Sequence, residues 1–548
     1  MQRQINGIQN RPYLVFLGCF VLLFCLYFQT RNSGWVSDTL GWLDAVRNQP
    51  FREYMNRSHF GVQSFYQTTQ FITWLLYQLF GTNTWAWHLF HLALHALNCT
   101  LLFSLVRGLL IDSAITPAGE IALEIALLFC CSPYVSEVIV WKAAFHYLQG
   151  LAFIFSILLI LRNYLHQPTR SLFFLATMIF AVSIFSLELF YLIPLFTILV
   201  LAYYYWALKY PLARIRTALL YILGPQVLLF LVHLGLVHFV LGTQAPRLGN
   251  ALFSQPLASY AIKPPLNLFH LFGGRFYTHY FRDLVYHFFC TYWGAGLFYT
   301  GILGLLLLLL IRFKKLNRIW QIFALCYCCL LASIVLVSPM WFPLRLLIQG
   351  DRYLYVLLPF FIMGLVLLIR MRPKWRAALV FGLALIQSGL TLYENGLWRE
   401  SYEMTQQLEL NFPEDHNHPV LLLNPPQSLQ GAAMIGSGSD GEFRLMHRLL
   451  YGSDPGNVQE VLAVNLRSLN DHIQTQIVND STLLVTAVGP GRYWWYGPDY
   501  AKDYAAPDFQ VKLMNPQTYE LQVHGKLQNY RLRYQESGIW KELILRGK

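Results

Sequence analysis

Long apolar runs separated by short polar breaks set the pattern of the first 395 positions. A helix needs about 17 to 25 predominantly apolar residues to cross roughly 30 Å of hydrocarbon. Runs of this kind extend over Tyr13–Phe28, His88–Val106, Ile121–Ser132, Val138–Leu161, Ser171–Leu187, Leu189–Leu208, Ala218–Leu241, Trp293–Ile311, Ile319–Val337, Tyr353–Ile369 and Ala377–Tyr393. They predict about eleven transmembrane helices, the third unusually short. The first run lacks a small-residue cleavage site and continues into Gln29-Thr30-Arg31-Asn32, so it reads as a retained span and not as a signal peptide.

Basic residues orient these spans. Arg3 and Arg11, Arg107, Arg162 with Arg170, Lys209 with Arg214 and Arg216, the run Arg312 to Arg318 and the run Arg370 to Arg376 all fall on one side, which the positive-inside rule makes the cytoplasm. Counting Gly61–Phe80 as a further span would put every later cluster on the opposite face, so that segment is expected as a helix at the outer interface. The parity predicts the N-terminus in and the C-terminus out. The segments 29–87 and 242–292 then become outer loops of a transmembrane domain covering 1–395.

After position 395 the pattern changes. The segment 396–548 is polar, punctuated by Pro and Gly, and is expected as a small extracytoplasmic α/β or α+β domain. "PVLLLNPP" and "STLLVTAV" read as buried strands and "EFRLMHRLLYG" as a helix. "VQEVLAVNLRSLNDHIQTQIV" also reads as a helix, and "YELQVHGKLQNYRLRYQ" as a pair of strands.

Composition agrees with this picture. The 548-residue chain is 56% hydrophobic and only 12% charged, with a mean hydropathy of +0.42, whereas soluble domains carry roughly 25% charged residues. The net charge of +12 comes in clusters between apolar runs, which reads as topology signalling and not as a nucleic-acid surface. All nine cysteines lie at or before position 329, mostly inside apolar runs, and read as packing positions. No P-loop, dinucleotide fingerprint or nucleophile elbow is present.

Candidate chemistry begins in the first outer loop, "SGWVSDTLGWLDAV". Asp38 and Asp44 follow closely on the first span, where an aspartate can take a proton from an acceptor hydroxyl or help hold a divalent metal ion. The alternative is that Asp38 caps the helix "TLGWLDAV" and Asp44 is solvated. At 100° per residue, six positions place the two about 120° apart around a helix, which argues against a two-carboxylate site. His88, His91 and His95 share one stripe of the second span, a spacing that suits hydrogen bonding between helices better than a metal site without carboxylate or cysteine partners.

Several motifs resemble those of the polytopic glycosyltransferases with the GT-C fold, in particular the branch of TPR-bearing protein O-mannosyltransferases and their bacterial relatives. The residues "YQLFGTNTWAWHLFHLALHALNCTLLFSLVRGLL" are similar to that branch's LFG-N…H-L-N-L-L-L-H-A-N pattern. "SPYVSEVIV" is similar to its H-P…E segment, with Ser132 in the histidine place and Glu137 in the glutamate place. "SIFSLELFYLIP" resembles S-K-E…P, with Glu188 kept and Leu187 replacing lysine. "QGDRYLYVLLPFF" resembles E-R-Y-L-Y-L-P, with Asp351 for the glutamate, then Arg352, Tyr353 and Tyr355. The likeness spans about 13–395 and leaves out the C-terminal segment, where no 34-residue TPR period is present.

The resemblance implies an all-α GT-C-like membrane domain that transfers a sugar from a polyprenyl-phosphate donor with inversion. Asp38 is the implied base and Asp44 the fallback. No cofactor is certain, and a divalent metal is left open. The expected partners are the lipid donor, a protein or glycan acceptor and the bilayer of a bacterial inner membrane. Where relatives show Y-R-P-L this chain reads Tyr66, Gln67, Thr68, Thr69, so any donor contact by that arginine is lost or moved. A leaving phosphate needs a cation, and Arg352, with its bidentate geometry, is the best-placed candidate; Arg345, Arg275 and Arg282 are others. Glu137, Glu188, His88 and Tyr353 complete the candidate site, since ionisable groups at span edges are costly without a role. An interfacial Arg352–Asp351 pair is the plain alternative for Arg352. The tail sequence "GPGRYWWYGPDY" offers Trp494 and Trp495, either as sugar-stacking residues exposed on a turn or as core. A transporter of lipid-linked glycans and a non-catalytic binding relative are the competing classes.

Overall fold

The computed structural model of the chain describes residues 11–56, 65–186, 188–242, 257–338, 350–369, 373–413, 415–435, 442–489, 494–496 and 499–544. The chain divides into two compact units. A β-rich unit gathers Gln29–Pro50, Val140–Ala143 and the chain from Glu394 onward, and a helical unit holds the rest up to Tyr393.

Among the described residues, eight helices are long and apolar enough to cross a membrane, and nine if the bent pair Ala118–Cys130 and Pro133–Val140 counts as one broken span. All eleven expected spans are helical, but two of them fall short of spanning length, Arg170–Ser183 and Leu358–Leu368. The count of eleven full spans is therefore corrected. The unusually short third span ends because Pro133 lacks an N–H to continue the ladder, and the chain turns by 58° there. The next span begins at Lys142 and not at Val138. The segment expected as an interfacial helix is helical over Gln67–Phe80, 14 residues and below spanning length.

In hydrocarbon every backbone polar group must be satisfied within the element, and helix starts are the weak points. Asn83 closes one by accepting from the N–H groups of Trp85 and Ala86 at 3.1 and 3.3 Å. Asn317 and Thr291 cap two others. The Tyr292–Arg312 helix exposes Trp293, Leu297, Leu303, Leu307 and Ile311, an outward apolar face suited to lipid and not to water.

Among the described residues, the β-rich unit carries fourteen short strands: β1 Asp415–Leu422, β2 Pro426–Leu429, β3 Ala432–Ala433, β4 Gly456–Glu460, β5 Ala463–Leu466, β6 Ile473–Asn479, β7 Thr482–Ala487, β8 Trp494–Tyr496, β9 Asp499–Tyr500, β10 Tyr504–Ala505, β11 Phe509–Asn515, β12 Thr518–Val523, β13 Arg531–Glu536 and β14 Ile539–Glu542. They form three sheets, ordered β14-β13-β1-β4, β10-β11-β12-β7-β6 and β3-β2-β5-β8-β9. Val420, Leu422, Val464, Leu483, Val485, Tyr519 and Leu521 belong to their shared apolar core.

Two expectations fail in this unit. The segment Val458–Val478 is not a helix but runs through β4, β5 and β6. Its contiguous apolar run leads into β5, which is buried at every position between β2 and β8, so no alternation shows there. The second concerns "YELQVHGKLQNYRLRYQ", whose two strands are real but do not pair. Gly525, at φ +111°, and the turn Leu527–Asn529 redirect the chain, so β12 joins β7 and β11 while β13 joins β1 and β14.

Candidate functional site

In the helical unit, the chain enters a short helix, Asp351–Leu354, through Gly350. Gly350 sits at φ +93°, a left-handed conformation that strains any side chain, and a Cβ there would come 3.0 Å from the Tyr353 ring. The turn sends two adjacent charges to different partners. Asp351 is fully buried and receives His270 Nε2 at 2.8 Å together with the guanidinium of Arg275. Burial works against its charge, but the attraction of Arg275 and the hydrogen bond from His270 outweigh it and hold the carboxyl below its ordinary range. Tyr134 donates its hydroxyl to the His270 carbonyl and steadies that histidine.

Arg352 turns instead to Glu137. Its backbone N–H donates to Glu137 Oε2 at 2.9 Å and its guanidinium to Glu137 Oε1, while Nη2 lies 3.1 Å from the Tyr353 hydroxyl. The guanidinium also lies 4.6 Å from the centre of the Tyr353 ring. Tyr353 stands edge-on to Tyr147 at 5.9 Å. Glu137, Arg352, Tyr353 and Glu188 are all close enough to Tyr147 to act on it electrostatically. Each of the two adjacent charges thus has a partner distant in sequence, Asp351 with Arg275 and Arg352 with Glu137.

Glu188 opens the short helix Glu188–Tyr191 and accepts from the buried Tyr66 hydroxyl at 2.7 Å. The stretch that departs from the Y-R-P-L pattern is fixed here by other means. Thr68 donates its N–H to the Phe185 carbonyl and its hydroxyl to the Val182 carbonyl, each at 2.8 Å.

The histidine stripe holds helices together, as its spacing predicts. His88 Nε2 meets the Tyr27 carbonyl at 3.2 Å, His91 Nδ1 the Ile139 carbonyl at 2.9 Å and His95 Nδ1 the Tyr355 hydroxyl at 2.8 Å. His88 is thus a buried link between the first two spans. Arg275 is committed to Asp351, and Arg282 lies half-buried on the His279–Cys290 helix. Arg345 lies outside the described residues. Among the described residues, the group with metal-ligand spacing is Cys19, Cys99 and Cys130, with no carboxylate in it.

In the β-rich unit, the first loop separates its two aspartates. Asp38 is exposed at the start of the Thr39–Asn48 helix, and its side chain makes no capping hydrogen bond. Asp44 is half-buried, accepts from Asn48 Nδ2 at 2.7 Å and pairs with Arg448 at 3.1 Å. Arg47 adds a bond to the Leu449 carbonyl at 3.2 Å, so this helix is fastened to the 447–451 turn through Asp44 and Arg47.

Sequence reasoning missed Lys142. Its side chain is 1% exposed, and among the described residues its ammonium meets no hydrogen-bond acceptor. It runs beside Gly34, whose φ is +124°; a Cβ there would come 2.6 Å from the Val140 carbonyl and 2.8 Å from Lys142 Cε. The indole of Trp141 donates to the Val36 carbonyl at 3.3 Å, so the strip Trp141-Lys142 and the Gly34–Val36 backbone are packed together. A lone Lys inside an aromatic-rich stretch was the available signal, because a buried ammonium is expensive unless an anion meets it.

The tail tryptophans are core. Trp494 and Trp495 are 1% and 6% exposed, and Trp494 donates to the Gln517 carbonyl at 2.8 Å and stands edge-on to Tyr519 at 4.7 Å. Of the two readings offered for them, core therefore stands and exposed sugar stacking does not.

No known protein family and no curated protein matches this chain by sequence. Among solved structures, it is similar to the crystal structure of ArnT from Cupriavidus metallidurans bound to undecaprenyl phosphate, at 13% identity and a TM-score of 0.43, over 83% of this chain and 92% of that one. At that identity and score the likeness carries no argument about activity, ligand or site.

Proposed function

We propose that this chain is a multi-pass membrane glycosyltransferase that moves a sugar from a polyprenyl-phosphate donor to an acceptor hydroxyl on a protein or glycan, at the outer face of a bacterial inner membrane. One observation carries the reading. Glu137 and Arg352, drawn from two of the motifs that resemble GT-C enzymes and 215 positions apart, meet in a buried ion pair with Tyr353 beside it.

The roles follow from charge. Asp38, exposed at the start of its helix, is the base that the resemblance implies and takes the proton of the acceptor hydroxyl. The acceptor oxygen attacks the anomeric carbon from the face opposite the phosphate, and the carbon–oxygen bond to the phosphate breaks with its electron pair leaving on the lipid phosphate. Inversion results. Arg352 supplies two N–H groups to that phosphate.

The test is sugar transfer from a polyprenyl-phosphate donor in membranes. Asp38→Asn is expected to lower the rate by about 10²- to 10⁴-fold, the usual weight of a general base. Full activity in Asp38→Asn would remove it from the mechanism. Transport of a lipid-linked glycan by the parent protein, with no transfer from any donor, would replace the enzyme reading altogether.

A further inference from the structure

Two short stretches of the helical unit hold seven basic residues and no acidic one: Lys209, Arg214 and Arg216 within 207–218, and Arg312, Lys314, Lys315 and Arg318 within 312–318. All seven are exposed. The first stretch follows the Glu188–Trp206 span and the second joins the Tyr292–Lys315 and Arg318–Val337 spans, so the charges sit on turns at helix ends.

Hydrogen bonds fasten these turns to each other and to a third. The Arg318 guanidinium donates to the Ala207 carbonyl and, at 3.0 Å, to Gln321 Oε1, while Gln321 Nε2 donates to the Phe313 carbonyl at 2.9 Å. Arg214 Nη1 donates to the Leu165 and His166 carbonyls at 2.9 and 3.0 Å, and the Tyr210 hydroxyl lies 3.1 Å from His166 Nδ1. Lys209 sits at φ +59°, a left-handed conformation uncommon for a residue with its side chain, and the turn is closed after it by the Tyr210 N–H on the Tyr204 carbonyl at 3.1 Å.

Two ordinary explanations cover part of this. Cations complement the carbonyls at helix C-termini, and Arg214 and Arg318 do so. Topology signalling asks only that basic residues lie on one side. Neither accounts for Lys209, Arg216, Arg312, Lys314 and Lys315, which meet no carboxylate among the described residues and yet are gathered on turns bound to one another. Exposed apolar side chains adjoin them in the chain: Tyr205, Trp206 and Leu212 beside the first turn, Leu310 and Ile311 beside the second. Cations next to a lipid-facing rim match a molecule with an anionic head and hydrocarbon tails, whereas a soluble phosphate would leave the rim uncovered.

We propose that the 207–216 and 312–318 turns bind the headgroup of an anionic phospholipid, with the two-phosphate headgroup of cardiolipin the best match. Each turn supplies its own cations, Lys209 and Arg216 on one and Arg312, Lys314 and Lys315 on the other. Once one phosphate is held, the second reaches its turn as an intramolecular event, which a single-phosphate lipid cannot do. The site does not depend on the proposed activity.

The experiment uses the full-length protein in detergent micelles, with cardiolipin, phosphatidylglycerol and phosphatidylethanolamine tagged on an acyl chain. Cardiolipin is expected to bind tighter than phosphatidylethanolamine by about tenfold or more, and to weaken when salt rises from about 0.1 M to about 1 M, as the Debye length shrinks from about 10 Å to about 3 Å. Lys209→Ala and Lys314→Ala should each weaken cardiolipin by about fivefold and the double variant by about 25-fold, while Lys209→Arg with Lys314→Arg retains it. Lys512→Ala, an exposed lysine of β11, should change nothing. Phosphatidylglycerol binding as tightly as cardiolipin would keep the anionic-lipid site and overturn the two-phosphate assignment. Equal binding of cardiolipin and phosphatidylethanolamine would overturn the proposal, as would parent-like cardiolipin affinity in the Lys209→Ala, Lys314→Ala double variant or an equal loss in Lys512→Ala.

Discussion

Two arginine–carboxylate pairs of the helical unit look alike by burial and differ in completeness. Asp112 and Glu137 are 3% and 6% exposed in their side chains, and their partners Arg162 and Arg352 are both 21% exposed. Asp112 accepts both Arg162 Nε and Nη2 at 2.8 Å, His166 Nε2 at 3.0 Å and the Tyr204 hydroxyl. Gly108 is cut to fit, since a Cβ there would lie 2.5 Å from Arg162 Nε. Glu137, by contrast, takes both of its hydrogen bonds from Arg352. A shell closed by three residues of two helices is scaffold, whereas one supplied by a single residue can be exchanged for a substrate's charge. Burial alone would not have separated the two.

The comparison breaks most visibly at Asp112. Asp112→Asn removes one partner of a buried pair and is expected to cost about 3 to 5 kcal/mol of stability, read as a lower unfolding temperature in detergent. The transfer rate per folded molecule should stay within about twofold, the size of an uncoupled distant site. A rate loss exceeding the stability loss would make this pair functional as well.

Arg352→Lys keeps the charge and loses the planar fork. The expected outcome is a fall of about 10²-fold in transfer, against a modest change in unfolding temperature. Transfer at the parent rate would place Arg352 with the scaffold, beside Arg162. Lys142→Met tests a buried charge of the β-rich unit that meets no hydrogen-bond acceptor among the described residues. Removing it should stabilise the fold by about 1 to 4 kcal/mol, read as a higher unfolding temperature in detergent. A destabilised variant would mean that Lys142 has an anionic partner in the resting protein.

The smallest effect belongs to Asp44→Ala. A half-exposed pair such as Asp44–Arg448 contributes about 0.2 to 1 kcal/mol, so only a slight shift in unfolding temperature and an unchanged rate are expected. A large rate loss would move the base from Asp38 to Asp44.

The spans were legible because hydrocarbon thickness imposes a length, and the run of apolar residues records it directly. The histidine stripe was legible for a similar reason, since three residues on one helical face must meet neighbouring helices. The strands of Val458–Val478 were not, because a run buried on both faces of a parallel pairing has no period to read. Lys142 was hidden by being one charge among aromatics, and its meaning comes from the absence of an acceptor around it among the described residues.

Sequence alone determined that this is a multi-pass membrane protein with a polar C-terminal segment, and it nominated Glu137, Glu188, Arg352 and Tyr353 by motif. The first follows from local composition and spacing, which the chain carries with it before it folds, and the second from the resemblance of short motifs. Tertiary structure decided which charges are partnered: Arg352 with Glu137, Asp351 with Arg275 and His270, Asp44 with Arg448. It also brought Cys19, Cys99 and Cys130 together from three helices. The energy of a charge or a thiol depends on what lies within a few ångströms of it, and that neighbourhood is assembled from positions hundreds of residues apart.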